Sequence, residues 1–214
     1  MQEYPSILKT TMPQGDLYTF DKLDGANLRF EYSKQAGFYK FGSRTRLFDE
    51  TDQVLGGAVA LFRDGLEREL VRIAQRGHWD RAVIFCEYWG PDTLGGINSG
   101  IVANRLTPFD VWLPDTGMLE PRLFVKRFGS LGPRFYGIQV WNREFLDEVL
   151  RGEFDGAFEG VVGKRITRKP TKKRRGPKLG EKSNWAGYKA KTQRWIDAIR
   201  ARYDAETAQR LIDS

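Results

Sequence analysis

The chain has 214 residues with 35 Lys+Arg against 28 Asp+Glu, a formal charge of +7, and a length that suits one domain. Hydrophobic residues at 40% and aromatics at 13% are too abundant for a disordered chain. The single cysteine, Cys86, excludes an internal disulfide framework and suits a reducing cytoplasm; neither a secretion signal nor an apolar membrane span is visible.

The first forty residues read as strands. Leu28, Phe30 and Tyr32 alternate with Arg29 and Glu31, and Phe38 to Phe41 follow after a connection ending in Gly37, which predicts a hairpin. From Asp52 to Arg76 the period becomes helical, with Val59, Phe62, Leu66, Leu70 and Ile73 at spacings of 3, 4, 4 and 3 and Gly77 placed to close the helix. Ala82 to Cys86 is short enough for a buried strand, and Phe109–Leu113 and Leu123–Val125 read as further strands around the turn signal Pro114-Asp115-Thr116-Gly117. Asn142 is placed to cap a helix running to Leu150 and ending at Gly152. Strands over Glu159–Lys164 and Tyr188–Lys191 and a last helix carrying Trp195, Ile199 and Tyr203 complete the order. Strands and helices do not alternate regularly, which predicts an α+β fold of mostly antiparallel sheets with flanking helices.

Charge is unevenly placed. Lys164 to Lys178 hold nine Lys/Arg and no acid, and without them the chain carries 26 basic against 28 acidic residues. A self-repelling run with two prolines reads as a flexible basic insert, 164–182. Two uses are open: a solvated or targeting loop, or a clamp on a phosphate backbone through Lys172, Lys173, Arg174 and Arg175.

Lys22-Leu23-Asp24-Gly25-Ala26-Asn27 precedes a predicted strand. Further elements follow in fixed order: Ser43-Arg44, Phe85-Cys86-Glu87, Phe109-Asp110, Glu159-Gly160-Val161-Val162 and Lys189-Ala190-Lys191. Together they resemble the covalent nucleotidyltransferase superfamily of ATP-dependent ligases and capping enzymes, over about residues 4 to 195. Asn27, the opening Tyr4-Pro5-Ser6-Ile7 and Trp185-Ala186-Gly187-Tyr188 resemble the nick-sealing type of RNA ligase. Asp24 is a departure, since that type more often has histidine there.

The resemblance implies a nucleotidyltransferase (ATP-grasp-like) domain that uses ATP and Mg²⁺, with Mn²⁺ as a substitute. Lys22 would attack the α-phosphorus of ATP and hold AMP as a phosphoramidate. Its amine must be neutral, and the cations of Lys189 and Lys191 beside it would disfavour its charged form. Glu159 would hold the metal, Glu87 the ribose hydroxyls, Phe109 the adenine face and Asp21 the adenine amino edge. Arg44 would meet a terminal phosphate, and Asp24 and Asn27 would orient the loop and the metal's waters, with Gly25 allowing a tight turn. Each has a plainer reading: a surface lysine, a strand-end acid, a core phenylalanine, a hairpin arginine. The expected partner is RNA or a nicked duplex, and the expected state a cytoplasmic monomer. Only 23 residues follow Lys191, a C-terminal helical tail over 192–214 and too few for an OB-fold, so a single domain is expected. A small DNA ligase of the same chemistry and a non-catalytic nucleic-acid-binding relative are the alternatives. The Trp195 stripe reads as core packing.

Overall fold

As a computed structural model, the chain is described at residues 2–5, 7–9, 15–91, 93, 97, 102–154, 156–166 and 185–213. Two sheets form the frame. The larger has the order β5(Leu47–Phe48), β4(Gly37–Ser43), β3(Gly25–Ser33), β6(Arg81–Trp89), β7(Arg105–Leu113), β8(Gly117–Met118) and is antiparallel throughout. The smaller has the order β1(Leu8–Lys9), β11(Trp185–Lys191), β10(Gly160–Ile166), β2(Asp16–Asp21), β9(Phe135–Val140), with β1 parallel to β11 and the other pairs antiparallel.

Alternation in β3 decides which face is covered. Leu28, Phe30 and Tyr32 point into the main core, where Phe30 stacks on Phe62 with ring centroids 4.4 Å apart. Phe62 opens a π-helical turn, Phe62–Leu66, between α1(Gly56–Leu61) and α2(Glu67–Arg76), so the predicted helix is one rod with an internal bulge. Burying Phe62 completely contributes on the order of 2 kcal/mol. On the smaller sheet, Leu17, Val161 and Tyr188 pack against Trp141 and against Phe145 and Val149 of α4(Arg143–Arg151). Asn142 caps α4 by accepting from Phe145 N–H at 2.8 Å, and Gly152 closes it in the left-handed region. Each sheet thus has one helix-covered face, and the other faces meet across a cavity.

Three expectations are corrected. Leu123–Val125 is not a strand but part of α3(Pro121–Phe128): Pro121 sits in the first turn, and Phe124 and Phe128, one turn apart, stack at 4.4 Å inside the core. The basic run does not leave the fold at 164, because Lys164, Arg165 and Ile166 complete β10; Lys172, Lys173, Arg174 and Arg175 lie outside the described residues. Strand β9 pairs with β2 although no strand was expected there. The tail forms two helices, α5(Gln193–Arg202) and α6(Ala205–Asp213), joined through Trp195, Ile199 and Ala208. Among the described residues, no helix is long and apolar enough to cross a membrane.

Candidate active site

The cavity between the sheets measures about 400 Å³, the size of a small-molecule site. The Lys22 segment enters it at the end of β2, where the backbone N–H groups of Asp21 and Lys22 donate to Arg134 O at 2.9 Å and Gly160 O at 3.0 Å. Gly160 has φ of +151°, and a Cβ there would lie 2.0 Å from Ala190 O. Only glycine lets β10 start this close to β11, which places Glu159 beside Lys22. Gly25 begins β3 rather than a tight turn. Its need for glycine is steric, since a Cβ would lie 2.3 Å from Tyr88 O on β6.

Lys22 Nζ sits 2.5 Å from Glu159 Oε1, and Lys191 Nζ lies 3.6 Å from the same oxygen. Glu159 is 3% exposed, and its Oε2 has no partner among the described residues. Burial favours the neutral amine at Lys22, but Glu159, Glu87 and Asp24 outweigh it and hold the ammonium above its ordinary pKa. This departs from the expected field, because carboxylates and not cations dominate around Lys22. The acids bear the reciprocal strain. Burial pushes Glu87 up to about 8, with Glu159 and Asp24 adding and Lys22 opposing; burial and Glu159 push Asp21 up to about 6. Burial brings Lys191 down to about 8, aided by Lys22 and Lys189 and opposed by Glu159.

Among the described residues, no three His, Cys, Asp or Glu side chains are grouped to ligate a metal ion. One unpartnered carboxylate oxygen in the acid-rich cluster just behind the cavity wall instead fits a hard cation whose other positions water and phosphate oxygens would fill. Glu159 Oε2 is that oxygen, and the unpartnered Asp21 Oδ1 faces the same cluster.

Asp21, Lys22, Asn27, Arg44, Glu87, Phe109 and Lys189 all line the cavity. Asn27 on β3 is the cross-strand neighbour of Glu87 on β6, which puts both side chains on the cavity face. Arg44 stands at the end of β4, exposed at the mouth. Glu159 and Lys191 do not line it; they stand behind Lys22. Lys191 Nζ donates to Leu211 O at 2.9 Å and Ile212 O at 3.1 Å, and Lys189 Nζ to Asp213 O at 3.5 Å, so the end of α6 holds both closing lysines. Asp24 turns from the cavity and accepts from Ile97 N–H and Trp195 Nε1–H.

Two residues that the sequence reading named without a role in the site also line the cavity. Lys164 forms a 3.0 Å pair with Asp110, donates to the Phe109 backbone carbonyl at 2.7 Å, and sets its ammonium 5.4 Å from the Phe109 ring centroid. Tyr4 donates to Asp110 at 2.9 Å and meets Phe109 edge-on at 5.0 Å. The signal for Lys164 was its strand parity: Val162 and Lys164 share one face of β10, and Val162 lines the cavity.

No protein-family model and no curated protein matches the chain. Among solved structures it is similar to an archaeal ATP-dependent RNA ligase, with 13% identity, a TM-score of 0.61, and 93% of this chain on 51% of that one. It is also similar to Naegleria gruberi RNA ligase. The form with PPi has 15% identity, a TM-score of 0.58 and coverage of 94% and 60%; a variant with ATP and Mn has 14%, 0.57, and 92% and 59%. The chain spans about half to three-fifths of the length of these proteins. The chain therefore shares its α+β fold with these RNA ligases.

Proposed function

We propose that this chain is an ATP-dependent RNA ligase that joins 3′-hydroxyl to 5′-phosphate ends through a Lys22–AMP intermediate. The observation that carries the reading is the contact of Lys22 Nζ with Glu159 Oε1 at 2.5 Å, at the wall of a nucleotide-sized cavity. A surface lysine would have no reason to sit among buried carboxylates; a nucleophile that must meet a metal–nucleotide does.

Adenine fits the apolar end of the cavity, where Phe109 and Val162 offer flat and aliphatic surfaces, and Glu87 and Asn27 accept and donate at the ribose. Lys22 first gives its ammonium proton to solvent; the neutral Nζ then attacks the α-phosphorus, a P–N bond forms, the P–O bond to pyrophosphate breaks with its electron pair leaving on pyrophosphate, and the second amine proton also passes to solvent. AMP then passes to the RNA 5′-phosphate, and the 3′-hydroxyl displaces it. Glu159, with Asp21 beside it, would hold Mg²⁺ or Mn²⁺, which supplies charge neutralisation at the phosphate oxygens. Lys189 lines the cavity where such oxygens would lie, and Lys191 stands behind Lys22 as further positive charge. Arg44 at the mouth, and the basic segment outside the described residues, suit the polynucleotide backbone.

The test is incubation with α-labelled ATP and Mg²⁺, then denaturing electrophoresis. Label is expected on the native protein and absent from Lys22→Ala. Equal labelling of both, or no label on either, overturns the reading.

A further inference from the structure

The Trp195 side chain touches two parts of the candidate active site at once. Its Nε1–H donates to Asp24 Oδ2 at 2.8 Å, and its ring lies under the Lys191 ammonium, 4.3 Å from Nζ to the centroid. Ile97 N–H gives the same Asp24 oxygen a second hydrogen bond, at 2.7 Å. The indole is 2% exposed and packs on Ile199 and Ala208.

Its position is set by the segment that carries Phe158 and Glu159 into β10. Thr192 caps α5 by accepting from Trp195 N–H at 3.2 Å, while Thr192 N–H donates to Glu159 O at 2.9 Å and Thr192 Oγ1–H to Phe158 O at 2.6 Å. Packing alone asks only for a large apolar side chain at 195. A buried indole N–H must find an acceptor, and here the acceptor is a carboxylate two residues beyond the nucleophile, a charge-assisted bond.

We propose that Trp195 is a positioning residue for lysyl adenylation. Its N–H anchors Asp24 and so fixes the Lys22-Leu23 turn, while its ring face holds Lys191 in place. The proposal rests on the ligase reading.

Single-turnover formation of Lys22–AMP tests it, in the full chain over a range of ATP concentrations. Trp195→Phe keeps a ring over Lys191 and removes the N–H. The saturating rate is expected to fall about tenfold, as for one lost hydrogen bond to a charge, with half-saturation by ATP unchanged within about twofold. In an Asp24→Ala background, which leaves the N–H no acceptor at 24, the same substitution should cost less than about twofold more. Benzothienylalanine at 195, which keeps the indole's volume without its N–H, should reproduce Trp195→Phe and guards against a packing artefact. If the native protein forms the adduct and Trp195→Phe forms it equally fast, or loses the same factor in both backgrounds, the positioning role is wrong while the ligase reading stands. If the native protein forms no adduct, the ligase reading itself falls.

Discussion

Glu87 reaches the cavity from β6 with Asn27 as its cross-strand neighbour, and its carboxyl is held at about 8 against an ordinary 4.5, mainly by burial. The folded state therefore keeps a proton there that the unfolded chain has released. Stability from this group is full below about pH 4.5 and is lost as pH rises through about 8. Glu87→Gln has no such dependence. The variant should gain on the native protein as pH rises from 5 to 8.5, by on the order of 3 kcal/mol, since each tenfold change in proton affinity is worth about 1.4 kcal/mol. Urea unfolding at both pH values measures the gap, and parallel profiles would show that Glu87 is already ionised in the fold. Adenylation should fall in the same variant, because the residue that strains the fold lines the cavity proposed to hold the nucleotide. Sites of this kind commonly trade stability for function.

Between elements, the Lys164–Asp110 pair ties β10 of one sheet to β7 of the other, with both side chains 2–3% exposed. Burial pulls the Lys164 ammonium down and pushes Asp110 up, each opposed by its partner. Asp110→Ala strands the ammonium and removes the acceptor of Tyr4, so it should destabilise by about 3–5 kcal/mol. Asp110→Leu with Lys164→Met should recover most of that in chemical denaturation; a double variant as unstable as the single would refute the account. The same pair marks what sequence reading reaches. The β3–β4 hairpin, β6 and the Asn142 cap were legible because each is written in adjacent residues. Leu123–Val125 misled because three apolar residues fit either period, and the informative residue was Pro121. Strand β9 hid because it is an edge whose Ile138 and Val140 stay exposed, so no apolar alternation marks it. The site's motif residues were legible as types, and the cavity gathers most of them. The partners of Asp24 were not, since its indole donor lies 171 residues away along the chain.

At the scale of the whole molecule, charge and fold are separated. Lys164 is consumed by Asp110 and Arg165 donates to the Tyr188 hydroxyl from within β10, which leaves seven of the nine cations of the basic run beyond the last residue of that strand. Without the run the chain is close to neutral, so attraction for a polyanion should reside there and not in the cavity. Replacing Lys172, Lys173, Arg174 and Arg175 by glutamine should weaken RNA binding most at low salt. The slope of log affinity against log salt should become shallower by about 3, at roughly 0.7 per lost phosphate contact on a single strand. The proposed Lys22–AMP formation, a step that does not involve the polynucleotide, should stay within about twofold. Fluorescence anisotropy across a salt series and the adduct assay read the two quantities separately. An unchanged slope would remove the run from the binding surface, and an equal loss of adduct would place it at the nucleotide site instead. The separation has a physical logic: the lysines at the cavity suffice for the few phosphates of a nucleotide, whereas a phosphate backbone too large for a 400 Å³ cavity needs its counter-charge outside.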